Sequence, residues 1–458
     1  MNFLELFLKY QKIIIWGALL FALIAFFDRA LAVGIFLLAV LVVITISTAS
    51  KIGVKEKKFY SLFLIVILIH LLAVLFIYFF HFYPFGGGEG DQFYYHKTAV
   101  VLSERFGQGN FSVKGFDENY PYYYVPHFYP VIIGILYALT VPEVIMGQML
   151  NVWITALSVL FLYLIVTEIS GSVKKAFWVG LIASIYPSYL YFGSLLIRDA
   201  IIVFLSLFLL LLIIKLIKKF SWRNFFIFFI VLGFLIHFRF YVGLVAFLTI
   251  IFSLFLFFPF NIKKKIILAV IMVIFLGIIP QIFAGQGWFG INFFKKFINR
   301  ETITSLREKE YKSNLMGDSP PLSGSDIIVK TGFESPVNFI KNSFESFIYV
   351  SLGPFPWQIK YKRQFFALAE TFLWYFLLFF ILRGIFRNIK NYKVILPIIF
   401  FSITVFLVLS VFINNFGTYM RVRMPGFLAL LALADISFKN NIFKDFFKKN
   451  KNFKTTND

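Results

Sequence analysis

The chain contains no cysteine. Disulfide frameworks and thiolate metal sites are therefore excluded, and the redox state of its compartment leaves no mark on the sequence. Charge is scarce as well: 14% of the residues are Asp, Glu, Lys or Arg, with 44 basic residues against 22 acidic ones. There is no Gly-rich loop ending in Lys-Ser or Lys-Thr, which argues against nucleotide hydrolysis. A Gly-x-Ser-x-Gly elbow is missing too, which argues against that type of serine hydrolase. No internal repeat is found.

What is present is apolar sequence. Hydrophobic residues make up 60% of the 458, and the mean hydropathy is +0.85. Soluble domains of this length do not have that composition. The chain reads as an all-α, polytopic helical membrane protein, because spans must satisfy their own backbone hydrogen bonds. The first apolar run leads into further runs, so it reads as an anchor rather than a cleaved signal. The net charge of +22 sits in short clusters between apolar runs. That is a topology signal facing anionic lipid, not a nucleic-acid surface.

Spans of roughly 17–25 residues can be drawn at 10–27, 30–48, 59–82, 145–168, 175–195, 200–217, 266–284, 366–385, 393–413 and 425–438. The stretch 224–259 is too long for one crossing at ~1.5 Å per residue, and HFRFY interrupts it. It is expected to be two helices reversing at Arg239. The expected total is about twelve transmembrane helices, with a surface or re-entrant helix near 128–141. Residues 1–438 are expected to form one transmembrane domain. If Lys51–Lys58, Lys174–Lys175, Lys215–Arg223, Lys263–Lys265, Arg383–Lys393 and the tail 439–458 are all cytoplasmic, every parity agrees. Two long loops, 83–128 and 285–365, then lie on the extracytoplasmic face.

The polar residues at that face carry the chemistry. GEGDQFYYH, Gly88–His96, follows directly on an apolar run and puts Asp91 at the mouth of a span. A carboxylate there is costly and suits a general base. Tyr94 and Tyr95 offer faces for a sugar to stack on. His81, His96 and His127 share the first loop and could approach a divalent metal. Their spacing matches no metal motif, so no cofactor is expected. Arg198 and Asp199 stand at a helix boundary in IRDA. With Tyr94, Tyr95, His96 and His127 they are the candidate substrate contacts. Arg421 and Arg423, in GTYMRVRMP, have the forked geometry that grips phosphate oxygens. Arg239, Lys360 and Lys362 are further candidates for a lipid phosphate.

Gly90, Asp91 and a tyrosine at 94 or 95 after an apolar span resemble the C-type superfamily of polytopic glycosyltransferases. The likeness is to its dolichyl-phosphate-mannose protein mannosyltransferase-like and lipid A aminoarabinose transferase-like branch. PHFYPVIIGILYAL, Pro126–Leu139, and QMLNVWITALSVLFLYLIV, Gln148–Val166, resemble the segments that follow in that group. The resemblance covers about residues 59–220; beyond them it rests on topology, FPW and RVR. Gln92 stands where the group has an acidic neighbour, so this chain lacks that second carboxylate. The resemblance implies inverting transfer of a hexose or pentose from a polyprenyl-phosphate donor to a hydroxyl acceptor, with Asp91 as base and arginines on the departing phosphate.

Two other classes compete. A polysaccharide polymerase or ligase using lipid-diphosphate-linked oligosaccharides would lean on Arg421, Arg423 and the second loop rather than on Asp91. A transporter of lipid-linked sugars would carry charges within its spans and repeated halves.

Overall fold

The computed structural model describes residues 3–83, 91–113, 128–274, 336–359, 365–412 and 416–436. Every regular element among the described residues is helical. Among the described residues seven helices are long and apolar enough to cross a membrane, which makes this an all-α integral membrane protein.

Helices α1 (Phe3–Phe27) and α2 (Arg29–Lys51) form a hairpin. Asp28 makes the turn: its carboxylate accepts from the Leu31 amide at 2.9 Å, capping α2, and from the Tyr78 hydroxyl at 2.7 Å. Tyr78 lies near the end of α3 (Lys57–Phe80). Helix α4 (Asp91–Gly107) packs on α5 (Phe128–Leu139). A side chain at Gly134 would strike Leu102, so glycine sets how closely these two helices approach. Helix α4 occupies part of the expected first loop, and α5 is the expected short apolar helix.

Helix α6 (Val144–Ser170) runs through the centre, against α2, α3 and α9 (Asp199–Lys218). Most of α6 and α9 is buried. Trp153 on α6 donates to Thr45 of α2 at 2.8 Å. Gly34 on α2 faces Met146 and Met149 of α6 closely enough that a larger residue would displace them, a small-residue contact of the kind membrane helices use.

The run 175–195, expected as one span, is two helices. Helix α7 (Val173–Ile185) stops at Tyr186 and α8 (Pro187–Gly193) begins at Pro187. The residue before a proline is driven out of the helical region, and Tyr186 is extended, with φ −64° and ψ 123°. Residues Ser194–Arg198 then run without helix to α9.

Helices α10 (Trp222–Phe238) and α11 (Phe240–Phe257) reverse at Arg239, as expected, with that one residue extended at φ −159° and ψ 97°. Helix α12 (Ile262–Val273) follows. Helix α13 (Pro336–Leu352), inside the expected second loop, packs against α15 (Tyr392–Phe412) and α14 (Phe365–Arg387). The expected last span, 425–438, is not one straight helix over its described part, 425–436. Helix α16 (Phe416–Val422) bends into α17 (Met424–Leu431), and Ala432–Ile436 continue as turn and irregular chain.

The two ends of the bundle differ. Tyr163 bonds Glu56 at 2.9 Å, Lys218 bonds Glu168 at 2.7 Å, and Asn391 bonds the Ile169 carbonyl at 3.1 Å. These contacts gather the clusters near Lys57, Lys174, Lys218 and Lys390 at one end. There the buried Asp435 carboxylate takes Lys175 at 2.5 Å, Arg387 at 2.6 Å and Arg383 at 3.5 Å. The opposite end holds Asp91, Asp199, Arg239 and Arg421.

Candidate functional site

Four segments far apart in the chain meet at that opposite end. Asp91 is the first residue of α4 and Asp199 the first of α9. Both carboxylates therefore sit where helix N-termini favour negative charge. Arg239 is the reversal between α10 and α11, and Arg421 belongs to α16. Arg239 donates to Asp199 at 2.8 Å. Arg421 places one amino group on Asp91 and the other 3.9 Å from the second oxygen of Asp199. The order is Asp91, Arg421, Asp199, Arg239: alternating charge in a half-buried to buried setting.

The non-helical stretch Ser194–Arg198 positions Asp199 and is gripped from two sides. Asn151 on α6 donates to the carbonyls of Leu195 and Ile197 at 2.6 and 2.8 Å, and lies 3.0 Å from the Tyr129 hydroxyl. The Leu196 amide donates to the Gln92 side chain at 3.0 Å. Irregular backbone inside a membrane protein needs such partners, since lipid provides none. Gln92 thus links the turn before Asp199 to the residue after Asp91.

Tyr95, one helical turn beyond Asp91, is buried with its ring 5.2 Å from that of Tyr129. Burial pushes its phenol up to about 12, with the nearby Arg198 opposing the shift, so it stays a hydrogen-bond donor. Arg198 is half-buried and its Nε is buried without a hydrogen-bond partner among the described residues. The Tyr241 ring centre lies 5.7 Å from the Arg239 guanidinium.

Of the residues singled out in the sequence, the structure brings together Asp91, Tyr95, Arg198, Asp199, Arg239 and Arg421. Tyr94 stands beside Phe93, partly exposed. His96 turns to α5, where its ring nitrogen is 3.0 Å from the Tyr137 hydroxyl. Burial lowers the His96 imidazole below its ordinary value of 6.5, with Glu143 opposing, so the ring is neutral at pH 7. Arg423 points away from Arg421. It is buried, donates to the Gly353 carbonyl at 2.9 Å, and meets Glu370 at 3.3 Å. His127, Lys360 and Lys362 lie outside the described residues, as do Gly90 and residues 437–458.

Glu370 and Asn151 are not among the residues singled out in the sequence, and the contact Gln92 makes is visible only in space. Glu370 was detectable as an acidic residue inside an apolar run. Its second oxygen accepts from the Ser188 amide at 2.8 Å and from the Ser188 hydroxyl. This pair borders a cavity of about 450 Å³ between α3, α8 and α14, walled by Ile69, Leu72, Phe76 and Tyr191. Helix α8 divides this apolar space from the charged cluster. Leu190 and Tyr191 line the cavity, while Tyr189, Phe192 and Gly193 border a small gap beside Asp199 and Arg421.

No protein-family model matches this chain, and no curated protein matches it.

Proposed function

We propose that the protein transfers a sugar from a polyprenyl-phosphate donor to a hydroxyl acceptor, with inversion. The observation that carries this reading is the convergence of Asp91, Asp199, Arg421 and Arg239 at the end of the bundle opposite the lysine-rich end. By the charge rule for membrane loops the lysine-rich end is cytoplasmic. The cluster then lies on the extracytoplasmic face of a plasma-membrane protein with about twelve crossings. The resemblance of the Asp91 region to C-type polytopic glycosyltransferases adds to the same reading.

In the reaction, Asp91 takes the proton of the acceptor hydroxyl as its oxygen bonds to the anomeric carbon. The bond from that carbon to the donor phosphate breaks, and the phosphate leaves with the electron pair. The leaving group is already an anion, so it needs cations rather than an acid. Arg421 and Arg198 are the candidates to receive it, and Arg239 holds Asp199 in place behind them. Arginines 198, 239 and 421 exceed aspartates 91 and 199 by one positive charge. That surplus suits the single charge of a phosphodiester better than a diphosphate. The apolar cavity between α3, α8 and α14 is suited to the hydrocarbon of a lipid-linked substrate.

Mass spectrometry of lipids that co-purify in mild detergent tests the proposal. A polyprenyl monophosphate, bare or with one sugar, is expected with the native chain and is expected to be lost from Arg421→Ala. A lipid-diphosphate oligosaccharide in its place would overturn the reading in favour of a polymerase or ligase. The complementary assay is transfer by Asp91→Asn, which should fall by about 10²-fold or more, the contribution of a general base.

A further inference from the structure

At the lysine-rich end one carboxylate organises three cations. Asp435 takes Lys175 of α7 at 2.5 Å, an amino group of Arg387 on α14 at 2.6 Å, and the Nε of Arg383, also on α14, at 3.5 Å. The backbone fixes Asp435 in turn, since its amide donates to the Phe380 carbonyl at 3.0 Å. Asp435 is buried, whereas the side chains of Arg383 and Arg387 are 49% and 56% exposed. Each guanidinium presents several N–H donors in a rigid fork. Asp435 thus steadies both forks by one edge while about half of each side chain stays uncovered. Three cations against one carboxylate leave the set a surplus of two positive charges.

The face of α14 that carries these arginines continues into the membrane as phenylalanine. Phe372, Phe376, Phe379, Arg383 and Arg387 follow at intervals of three or four residues, the spacing of one helix face. All three phenylalanines are exposed. We propose that this face binds an anionic phospholipid, with the headgroup phosphate on Arg383 and Arg387 beside Lys175, and the acyl chains along the phenylalanines. The site is independent of sugar transfer. Guanidinium forks match phosphate oxygens, and basic pockets between helices at the cytoplasmic surface suit anionic headgroups. A soluble anion would use the cations and leave the aromatic stripe unused. A zwitterionic lipid would use the stripe but bring a cation of its own against the surplus. Asp435 holds both guanidiniums in place beforehand, so less side-chain freedom is lost when the phosphate arrives.

The test uses the full chain in detergent, with bound lipid counted by native mass spectrometry. Dioleoyl phosphatidylglycerol should bind more tightly than dioleoyl phosphatidylcholine, by about tenfold or more. Inorganic phosphate should not displace it. Arg383→Gln combined with Arg387→Gln should weaken phosphatidylglycerol binding about 30-fold, the scale of two cations near an anionic headgroup. Asp435 keeps Lys175 in that variant, so no buried charge is stranded. Lys219→Gln combined with Arg223→Gln removes the same charge from exposed positions at the same end, and should leave the affinity nearly unchanged. Phosphatidylglycerol with a diazirine in its acyl chain should photolabel the native chain between Phe372 and Arg387, a readout that stands even if the first variant fails to fold. Equal affinity for the two lipids, equal losses in the two double variants, or a label that falls elsewhere would each overturn the site. Displacement by inorganic phosphate would assign the cations to a soluble anion and overturn the lipid.

Discussion

Arg239 and Asp199 form an ion pair of 2.8 Å from which water is almost excluded. Neither residue is near the other in sequence: one turns the chain between α10 and α11, and the other starts α9. Removing one member strands a buried charge, at a cost of about 3–5 kcal/mol. Arg239→Ala is therefore expected to lower thermal stability in detergent sharply. The double variant Asp199→Asn, Arg239→Gln should regain most of that stability while transfer stays low. Recovery of activity along with stability would assign the pair to folding alone.

Asn151 supports the site without belonging to it. Its amide serves two carbonyls of the stretch before Asp199. Asn151→Ala takes the side-chain partner from the Ile197 carbonyl and leaves the Leu195 carbonyl with the Ile197 amide alone, which costs about 1–3 kcal/mol. Transfer should fall because Asp199 loses its placement, and a donor analogue should bind less tightly. A melting temperature equal to the native one would show that the stretch stands unaided.

His96 makes the packing of α4 on α5 sensitive to acid. Its folded value is depressed by burial below the ordinary 6.5. The unfolded state therefore binds the proton more readily than the folded one. Stability is intact above about pH 6.5 and declines as pH falls from there through the lower folded value. Melting curves between pH 8 and 5 should show this decline, and His96→Gln should flatten it. The Tyr137 hydroxyl, 3.0 Å from the ring, can donate only to the neutral form.

Gly384 is a contact point rather than a flexible joint. A methyl group there would land on the Leu433 carbonyl oxygen and lie 2.8 Å from the Asp435 amide. Gly384→Ala should push Ala432–Ile436 off α14 and destabilise by about 1–3 kcal/mol, the usual cost of overpacking. The readout is thermal stability, with Gly17→Ala as control, since open space surrounds Gly17.

Much of this was legible from the chain because membrane proteins punish stray charge. Asp91, Asp199, Arg239 and Arg421 each stood out as ionisable residues at the ends of apolar runs. Their pairing was not readable, since the partners lie 40 or 330 residues apart. Arg421 and Arg423 looked alike in sequence and diverge in space, because the chain turns between α16 and α17 and sends the second arginine to Glu370. The break at Tyr186 was written in Pro187 but masked by the hydropathy on either side. Gln92 and Asn151 carry no charge, so only their neighbours in space reveal what they hold.

The last described segment, 416–436, is tied to the rest at three points. Arg421 meets Asp91 and Asp199, Arg423 meets Glu370, and Asp435 meets Lys175, Arg383 and Arg387. Every one of those partners has already left the ribosome when this segment emerges. The cluster thus acquires its central cation only after Asp91, Asp199 and Arg239 have been synthesised. A chain stopped short of it would be a membrane-inserted bundle with two facing aspartates and no guanidinium between them. Assembly order would then leave Asp91 and Asp199 without their shared partner until residues 416–436 have docked.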